Sequence, residues 1–336
     1  MSVDRKMMLV VLWACLTAGV GWAQTLESSR RTNGLAVHAC FEPAREVLQR
    51  SSAVILQGSK KIAYGTVFSA DGLIATKASE IDGAEGLRVT VGSKTYDSPE
   101  LLGVDLAWDV ALLRVPASGL EPVNLVESDV DLPRGTWVVA NGATTRIRRR
   151  VQVGIVSASA REIPAAGGVV LGVTLDEKRD RWVVTKVHEG SGAELAGLRA
   201  GDRIVAVGEA KMKDREALDE RLAKLRVGDE LKLVVERAGE RLDLQVRVSG
   251  RADLFGEEKT RNDEMSGRFS ERRSGFPRII QHDILANAAG MGGPLLGIDG
   301  RCHGMNIARA NRSETFAIPA GELRAVIDRL KPAAGP

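Results

Sequence analysis

Asn287-Ala-Ala-Gly-Met-Gly-Gly-Pro-Leu-Leu296 decides the fold. Two glycines, Gly292 and Gly293, stand between an apolar side chain and Pro294. Upstream runs Ile279-Ile-Gln-His-Asp283, and downstream Ile298-Asp-Gly-Arg-Cys-His-Gly304. A Gly-x-Gly-Gly-Pro turn between two apolar strands is a tight backbone corner. Glycine reaches positive φ there at little steric cost, and consecutive N–H groups can aim at one point. Gly290, Gly292 and Gly293 are the candidates for such a loop.

The spacing Asp283-Ile-Leu-Ala-Asn287-Ala-Ala-Gly-Met291-Gly-Gly-Pro-Leu295 resembles the nucleophile loop of HtrA/DegP-type serine proteases, written Asp-x-x-x-Asn-x-Gly-Asn-Ser-Gly-Gly-Pro-Leu in that family. The resemblance implies a trypsin-like double β-barrel and places Met291 where the family carries its serine. A thioether has no proton to lose and no oxygen to attack with. Asp71-Gly-Leu-Ile-Ala-Thr-Lys-Ala-Ser79 is similar to the family's Asp-Gly-x-Ile-x-Thr-x-x-His, so Ser79 stands at the base position. Asp109-Val-Ala-Leu-Leu-Arg114 matches the acid strand and keeps the aspartate. His38, His188, His282 and His303 all lie outside the base motif. The resemblance implies a triad in which only the residue that orients the base survives, with no cofactor and no metal. The bland readings are that Met291 fills the vacated pocket, Ser79 is a small polar filler, and Asp109 accepts backbone N–H groups.

Ahead of these motifs, Arg5 and Lys6 precede an apolar run from Met7 to Val20, and Gly21-Trp-Ala23 supplies small residues for a cut before Gln24. Residues 1–23 read as a secretory signal peptide, and the protein as exported, periplasmic or extracellular. Bulky Trp13 argues against a lipid-modified Cys15. No later apolar run is long enough to span a bilayer. Apolar content of 44%, 27% charged residues and a net charge of +3 describe an ordinary globular chain, with no field to steer nucleic acid. Arg146-Ile-Arg-Arg-Arg150 reads as a solvated hairpin tip. Cys40 and Cys302 remain after the cut, and an exported compartment permits either a disulfide or two separate thiols.

Short strands with close turn signals fill residues 40–125, the expected first barrel, including Ser52–Leu56, Ala63–Ser69 and Leu73–Thr76 with an Asp71-Gly72 turn. Residues 126–160 begin the second barrel and 278–332 complete it, with a closing helix over Gly321–Leu330. Between them the pattern changes. Val169-Val-Leu-Gly-Val-Thr174 resembles the carboxylate-binding loop of PDZ domains, and Gly190–Ile204 the PDZ core motif. Asp214–Leu225 is an amphipathic helix capped by Asp214, and Leu231–Arg237 pairs with Leu242–Val248 as a hairpin. An α+β PDZ domain over 166–250, inserted in the second barrel, follows from the resemblance. Residues 251–277, charged and without apolar periodicity, read as a mobile return linker.

The function expected is an exported pseudoprotease that binds C-terminal or extended peptide segments. Leu171, Gly172 and Val173 would capture the peptide. Leu218 and Leu222 line either the groove or the core. The alternatives are a working serine endopeptidase with a rearranged nucleophile, Ser79, Ser266 or Ser270, and a structural module with a closed groove. Homo-oligomerisation stays open.

Overall fold

The computed structural model describes residues 27–30, 34–127, 132–144, 149–176, 182–208, 210–211, 215–256 and 268–332. The signal peptide, Cys15, Ser266, the Asp214 cap and Arg146–Arg148 lie outside them. Two compact units divide after Glu42. In the first, Ser28–Arg30 form a 3-10 turn and Leu35–Ala39 a short helix. The second begins on α1 (Glu42–Ser51), where Pro43 occupies a first-turn position that needs no N–H.

Seven antiparallel strands follow: β1 (Ser52–Gln57), β2 (Lys60–Val67), β3 (Leu73–Lys77), β4 (Leu87–Val91), β5 (Lys94–Asp97), β6 (Glu100–Asp105) and β7 (Val110–Arg114). Their spatial order is β5-β4-β1-β2-β3-β7-β6. A closed barrel is then started by β8 (Trp137–Thr144) and β9 (Arg149–Ile163) and completed by β18 (Phe276–His282), β19 (Pro294–Leu296), β20 (Cys302–Arg309) and β21 (Thr315–Pro319).

Between β9 and β18 lies a separate α+β body: β10 (Val169–Val170), β11 (Val173–Leu175), β12 (Val184–Val187), α2 (Gly192–Leu195), β13 (Arg203–Val207), β14 (Ala210–Lys211), α3 (Arg215–Leu222), β15 (Glu230–Arg237), β16 (Glu240–Arg247) and β17 (Ser249–Gly250). Its own core gathers Val184, Ile204, Leu233, Val235 and Val246. The pairing of β10 with β17 brings its two ends together, so the interrupted barrel still closes. The fold is thus mainly β, two curled sheets with an α+β insertion in the second.

α5, the last helix (Ala320–Leu330), buries Leu323, Val326 and Ile327 in a core shared by both sheets. Leu73, Val110 and Leu112 enter that core from the first sheet, and Ile279, Met305, Ile307 and Phe316 from the second.

One expectation fails. Within residues 251–277, of which 257–267 lie outside the described residues, the described parts are ordered. Arg251–Phe255 form helix α4, and the segment from Arg268 docks on the barrels before β18 starts at Phe276. The buried side chain of Arg272 accounts for this. Its guanidinium donates to the carbonyls of Leu106, Ala107 (3.0 Å), Ser274 (3.2 Å) and Gly275 (2.6 Å) and lies 4.8 Å from the Phe276 ring centre. Composition counts the charge but not the waiting acceptors, and a charged group this well satisfied can be buried.

Candidate functional site

β3 and β7 pair so that Lys77 lies opposite Val110, beside Asp109. Asp109 adopts a left-handed φ of +57°, which short polar residues tolerate best after glycine. Ser79 follows two residues beyond the end of β3. The two predicted positions therefore meet: Ser79 N–H donates to Asp109 Oδ1 at 2.8 Å and Ser79 Oγ–H to Oδ2 at 2.9 Å. The serine hydroxyl thus spends its proton on the acid that would orient a base.

Sequence reasoning missed the third member of this group. Lys77, fully buried, places Nζ 2.5 Å from Asp109 Oδ2 and 3.0 Å from the Arg272 carbonyl oxygen. Asp109, which spacing alone leaves free to orient an imidazole, is committed to an internal ion pair. Glu80, next in the chain, is buried too. Its carboxylate lies 3.6 Å from Arg268, and its Oε1 has no hydrogen-bond partner. Burial raises the Glu80 pKa above the usual carboxylate range, against the opposing fields of Lys77 and Arg268. The signal that could have found Lys77 is a lysine at the end of an otherwise apolar strand, one ladder position from a motif aspartate.

At the corner, Gly292 has φ of +85°, and a Cβ there would come within 2.1 Å of Tyr64 O. Only glycine fits. The expected convergence of N–H groups does not form, however. Gly290 N–H donates to Asn287 O (2.8 Å), Met291 N–H to Ala288 O (3.1 Å) and Gly292 N–H to Asn306 O (2.7 Å). Ala288–Gly290 is a 3-10 turn, and such a turn turns its donors back on its own carbonyls. A Cβ on Gly293 would meet Asn141 Nδ2 at 2.5 Å, so this residue is wedged against β8 rather than facing a ligand. Met291 is 0% exposed, and its carbonyl receives Tyr64 N–H at 2.8 Å. It fills its pocket as a core side chain.

His282 braces the corner from behind. Its Nε2 lies 2.8 Å from Asn306 Oδ1, and its Nδ1 accepts Ile284 N–H at 3.3 Å. Asn306 Nδ2 in turn donates to the carbonyls of Gly293 (3.1 Å) and Pro294 (3.3 Å). Burial lowers the His282 pKa to about 4, so the ring is neutral and serves as a strut. His188 bonds Thr174 and packs edge-on against Phe255, far in sequence from the corner. Ser270 is buried with its Oγ accepting Arg309 N–H at 3.0 Å. Neither residue forms a nucleophile–base pair. Cys302 is buried, and burial pushes its thiol up to about 12; Cys40 is exposed, and both are free thiols.

In the inserted body, Gly172 has φ of +83° and its C=O accepts His188 N–H at 2.9 Å. Asp176 N–H also points to β12, donating to Val183 O. Strand alternation then turns the N–H and C=O of Val173 and Leu175 to the opposite edge, where no strand pairs among the described residues. Leu171 and Leu218 are buried in the body's core, and Leu222 packs partly against it. Leu222 also lines a cavity of about 170 Å³ shared with Ile163, Pro164, Val227 and Phe276.

This architecture defines a trypsin-like serine peptidase scaffold with a PDZ domain set into its second barrel. Residues 63–193 match the family described as trypsin-like peptidase domain, and residues 169–248 that described as PDZ domain. HhoB of Synechocystis sp. is 31% identical over 157 residues, 46% of this chain and 35% of that protein. A probable periplasmic serine endoprotease DegP-like of Ectopseudomonas mendocina is 32% identical over 125 residues, 37% of this chain and 26% of the relative. Serine protease HTRA1 of Xenopus tropicalis is 36% identical over 110 residues, 32% of this chain and 23% of that protein. The matches thus span between about a quarter and a third of each relative's length. Among solved structures, the inactive form of a mutant of Rv3671c from M. tuberculosis H37Rv aligns over 87% of this chain and 93% of that chain, at 14% identity and a TM-score of 0.46. The chain is thus similar, over part of its length, to HtrA/DegP-type trypsin-like serine proteases, and it carries matches to a trypsin-like peptidase domain and a PDZ domain.

Proposed function

We propose that this chain is an exported HtrA-type protein without peptidase activity, whose PDZ domain binds C-terminal or extended peptide segments of other proteins. One observation carries the reading: the nucleophile position is a fully buried methionine whose N–H is spent on Ala288 O. Acyl transfer needs a nucleophile, a base and donors facing the developing oxyanion. Here the first is a thioether, the second a serine, and the third are turned inward. The acid that could help a base is paired with Lys77. Export rests on the leader-like N-terminal sequence and on relatives named as periplasmic. Among the described residues, no helix is long and apolar enough to cross a membrane.

Peptide capture rests on the edge of β11 that no strand pairs among the described residues, held next to Gly172, whose φ of +83° and close packing on Ser191 only glycine allows. Two measurements test the two halves. Turnover of unfolded casein by native protein is expected at background. Turnover that disappears in Ser79→Ala, Ser266→Ala or Ser270→Ala would establish an alternative nucleophile and end the inactive reading. A C-terminal peptide library on the full chain should yield ligands that bind as free acids and lose affinity when amidated, since amidation removes the carboxylate. Equal affinity for acid and amide would remove carboxylate capture.

A further inference from the structure

Helix α4 lies outside the segment that matches the PDZ family, residues 169–248, yet it packs beside the Gly172 loop. Leu254 Cδ1 would lie 3.2 Å from a Cβ on Gly172. The Phe255 ring stands edge-on to His188 with ring centres 4.8 Å apart, and the Arg251 guanidinium lies 5.6 Å from the centre of the Phe255 ring. Arg251 and Phe255 are one helical turn apart and share a face. α4 therefore adds a cation and a half-exposed aromatic ring that the PDZ segment does not itself supply.

This wall stands beside the exposed face of the β11–β12 ladder. Thr174 pairs with Lys186, and directly paired residues of an antiparallel ladder point to the same face. Both are exposed, whereas Val173 and Leu175, on the opposite face, pack against the domain's core. His188, two residues after Lys186, returns to the exposed face, with Nε2 2.9 Å from Thr174 Oγ1. Lys186 and His188 thus flank Thr174, and Phe255 with Arg251 closes the end toward Gly172. Neither Lys186 nor Arg251 has a carboxylate partner among the described residues.

A peptide on the open edge of β11 brings its carboxylate to Leu171–Val173, where the strand begins, so its chain runs antiparallel to β11. Val173 and Leu175 face that edge with their N–H and C=O, so the last residue and the third from the end bond there, and the penultimate residue lies opposite Thr174. Its side chain points to the face that carries Thr174, Lys186 and His188. We propose that this face, extended by α4, is a subsite for an acidic side chain, so that the captured tails are those with aspartate or glutamate immediately before the C-terminal residue. The inference rests on the peptide-capture reading above and names the class of tail taken. Lys186 pairs with the side-chain carboxylate across the short Thr174. Arg251, held over the Phe255 ring, adds a second positive charge. The same two cations reject a penultimate lysine or arginine.

The test uses the full chain and the fluorescein-labelled peptide Gly-Ser-Gly-Ser-Glu-Val with a free C-terminus, its analogue with lysine for the glutamate, the same pair ending in leucine, phenylalanine or alanine, and the amides of all of them. Fluorescence anisotropy at low salt should show the glutamate acids binding roughly tenfold more tightly than the lysine acids. Raising the salt should shrink that ratio. Lys186→Glu/Arg251→Glu should invert the order, whereas Arg241→Glu, on β16 in the domain's other sheet, should leave it unchanged. Should the double variant fail to fold, the ratio on native protein and its decrease in Lys186→Gln decide the matter. Free acids that bind alike whatever their penultimate residue would overturn the subsite and leave carboxylate capture standing. A change in Arg241→Glu as large as that in the double variant would assign the preference to net charge and overturn the subsite as well. Acids and amides that bind alike, or no binding by any peptide, would overturn capture itself, and this inference with it.

Discussion

Lys77 and Asp109 form a buried ion pair beside a serine, and this arrangement limits what any repair of the site can achieve. Restoring Met291→Ser and Ser79→His supplies a nucleophile and an imidazole, but Asp109 stays bound to Lys77 at 2.5 Å. The double variant is expected to remain at background on casein; turnover by it would show that Asp109 is free to orient the ring. Removing one partner of a buried pair strands the other charge, at a cost of roughly 3–5 kcal/mol. Lys77→Met should therefore lower the urea midpoint strongly, and Lys77→Met/Asp109→Leu should cost less than the two single changes summed. Additive losses would contradict the pairing. His282 sets a pH dependence. It is neutral in the fold with its pKa at about 4, against 6.5 when unfolded. Between these values the unfolded chain binds the extra proton, so stability falls as pH drops from about 6.5 toward 4, by up to roughly 3 kcal/mol. Glu80 works the other way: its raised pKa makes the fold hold a proton that the unfolded chain releases, a contribution present in acid and lost as pH rises. Thermal melts of native protein and His282→Gln across this range separate the two. If His282 titrates near 6.5 by NMR, its role as a neutral strut is wrong.

At the scale of elements, the corner and the first barrel were legible because their signals are local. Asn287–Leu296 and Asp71–Ser79 are short runs whose covalent spacing fixes which side chain faces which strand. Leu171–Val173 and the Gly190–Ile204 turn are similarly compact. What the sequence hid is non-local. Arg272 and Lys77 meet across 195 positions, and no periodicity in either stretch announces the other. The charged stretch 268–275 hid its docking for the same reason: arginine and glutamate look solvated until the carbonyls of the β6–β7 turn and of Ser274 and Gly275 are assembled around Arg272. The loop donors were misread because spacing places glycines but does not choose between a turn that opens its N–H groups and a 3-10 turn that spends them. Gly292 tests the corner itself. With φ at +85° and Tyr64 O in the way, Gly292→Ala should destabilise the fold by roughly 2–4 kcal/mol, read by denaturant titration. A loss within a few tenths would mean that the corner relaxes freely, and that Met291 is not locked in place by its neighbours.

For the whole molecule, the consequence of the insertion is how stability is shared between host and guest. The PDZ body has its own core, around Leu233 and Val246, and its ends are paired by β10 and β17. It should therefore unfold as its own cooperative unit. Its contacts with the host include the Arg226–Glu162 pair, the latter on β9, at 2.7 Å, and Gly228 packed against Ala107. While the guest is folded, the chain from β9 to β18 behaves as a short connection. When it melts, the host must hold closed a loop longer by about two doublings, which costs roughly 1 kcal/mol. Leu233→Ala, which opens a cavity in the guest at a cost of roughly 2–5 kcal/mol, should therefore move the guest's calorimetric transition down by many degrees and leave the host's own transition nearly in place. Ile307→Ala in the shared barrel core should do the reverse, lowering the host transition while the guest, with its ends tied by their own strand pair, keeps its midpoint. A single transition that shifts equally with either substitution would show that the PDZ body and the barrels are one cooperative block, coupled more strongly than by loop closure alone.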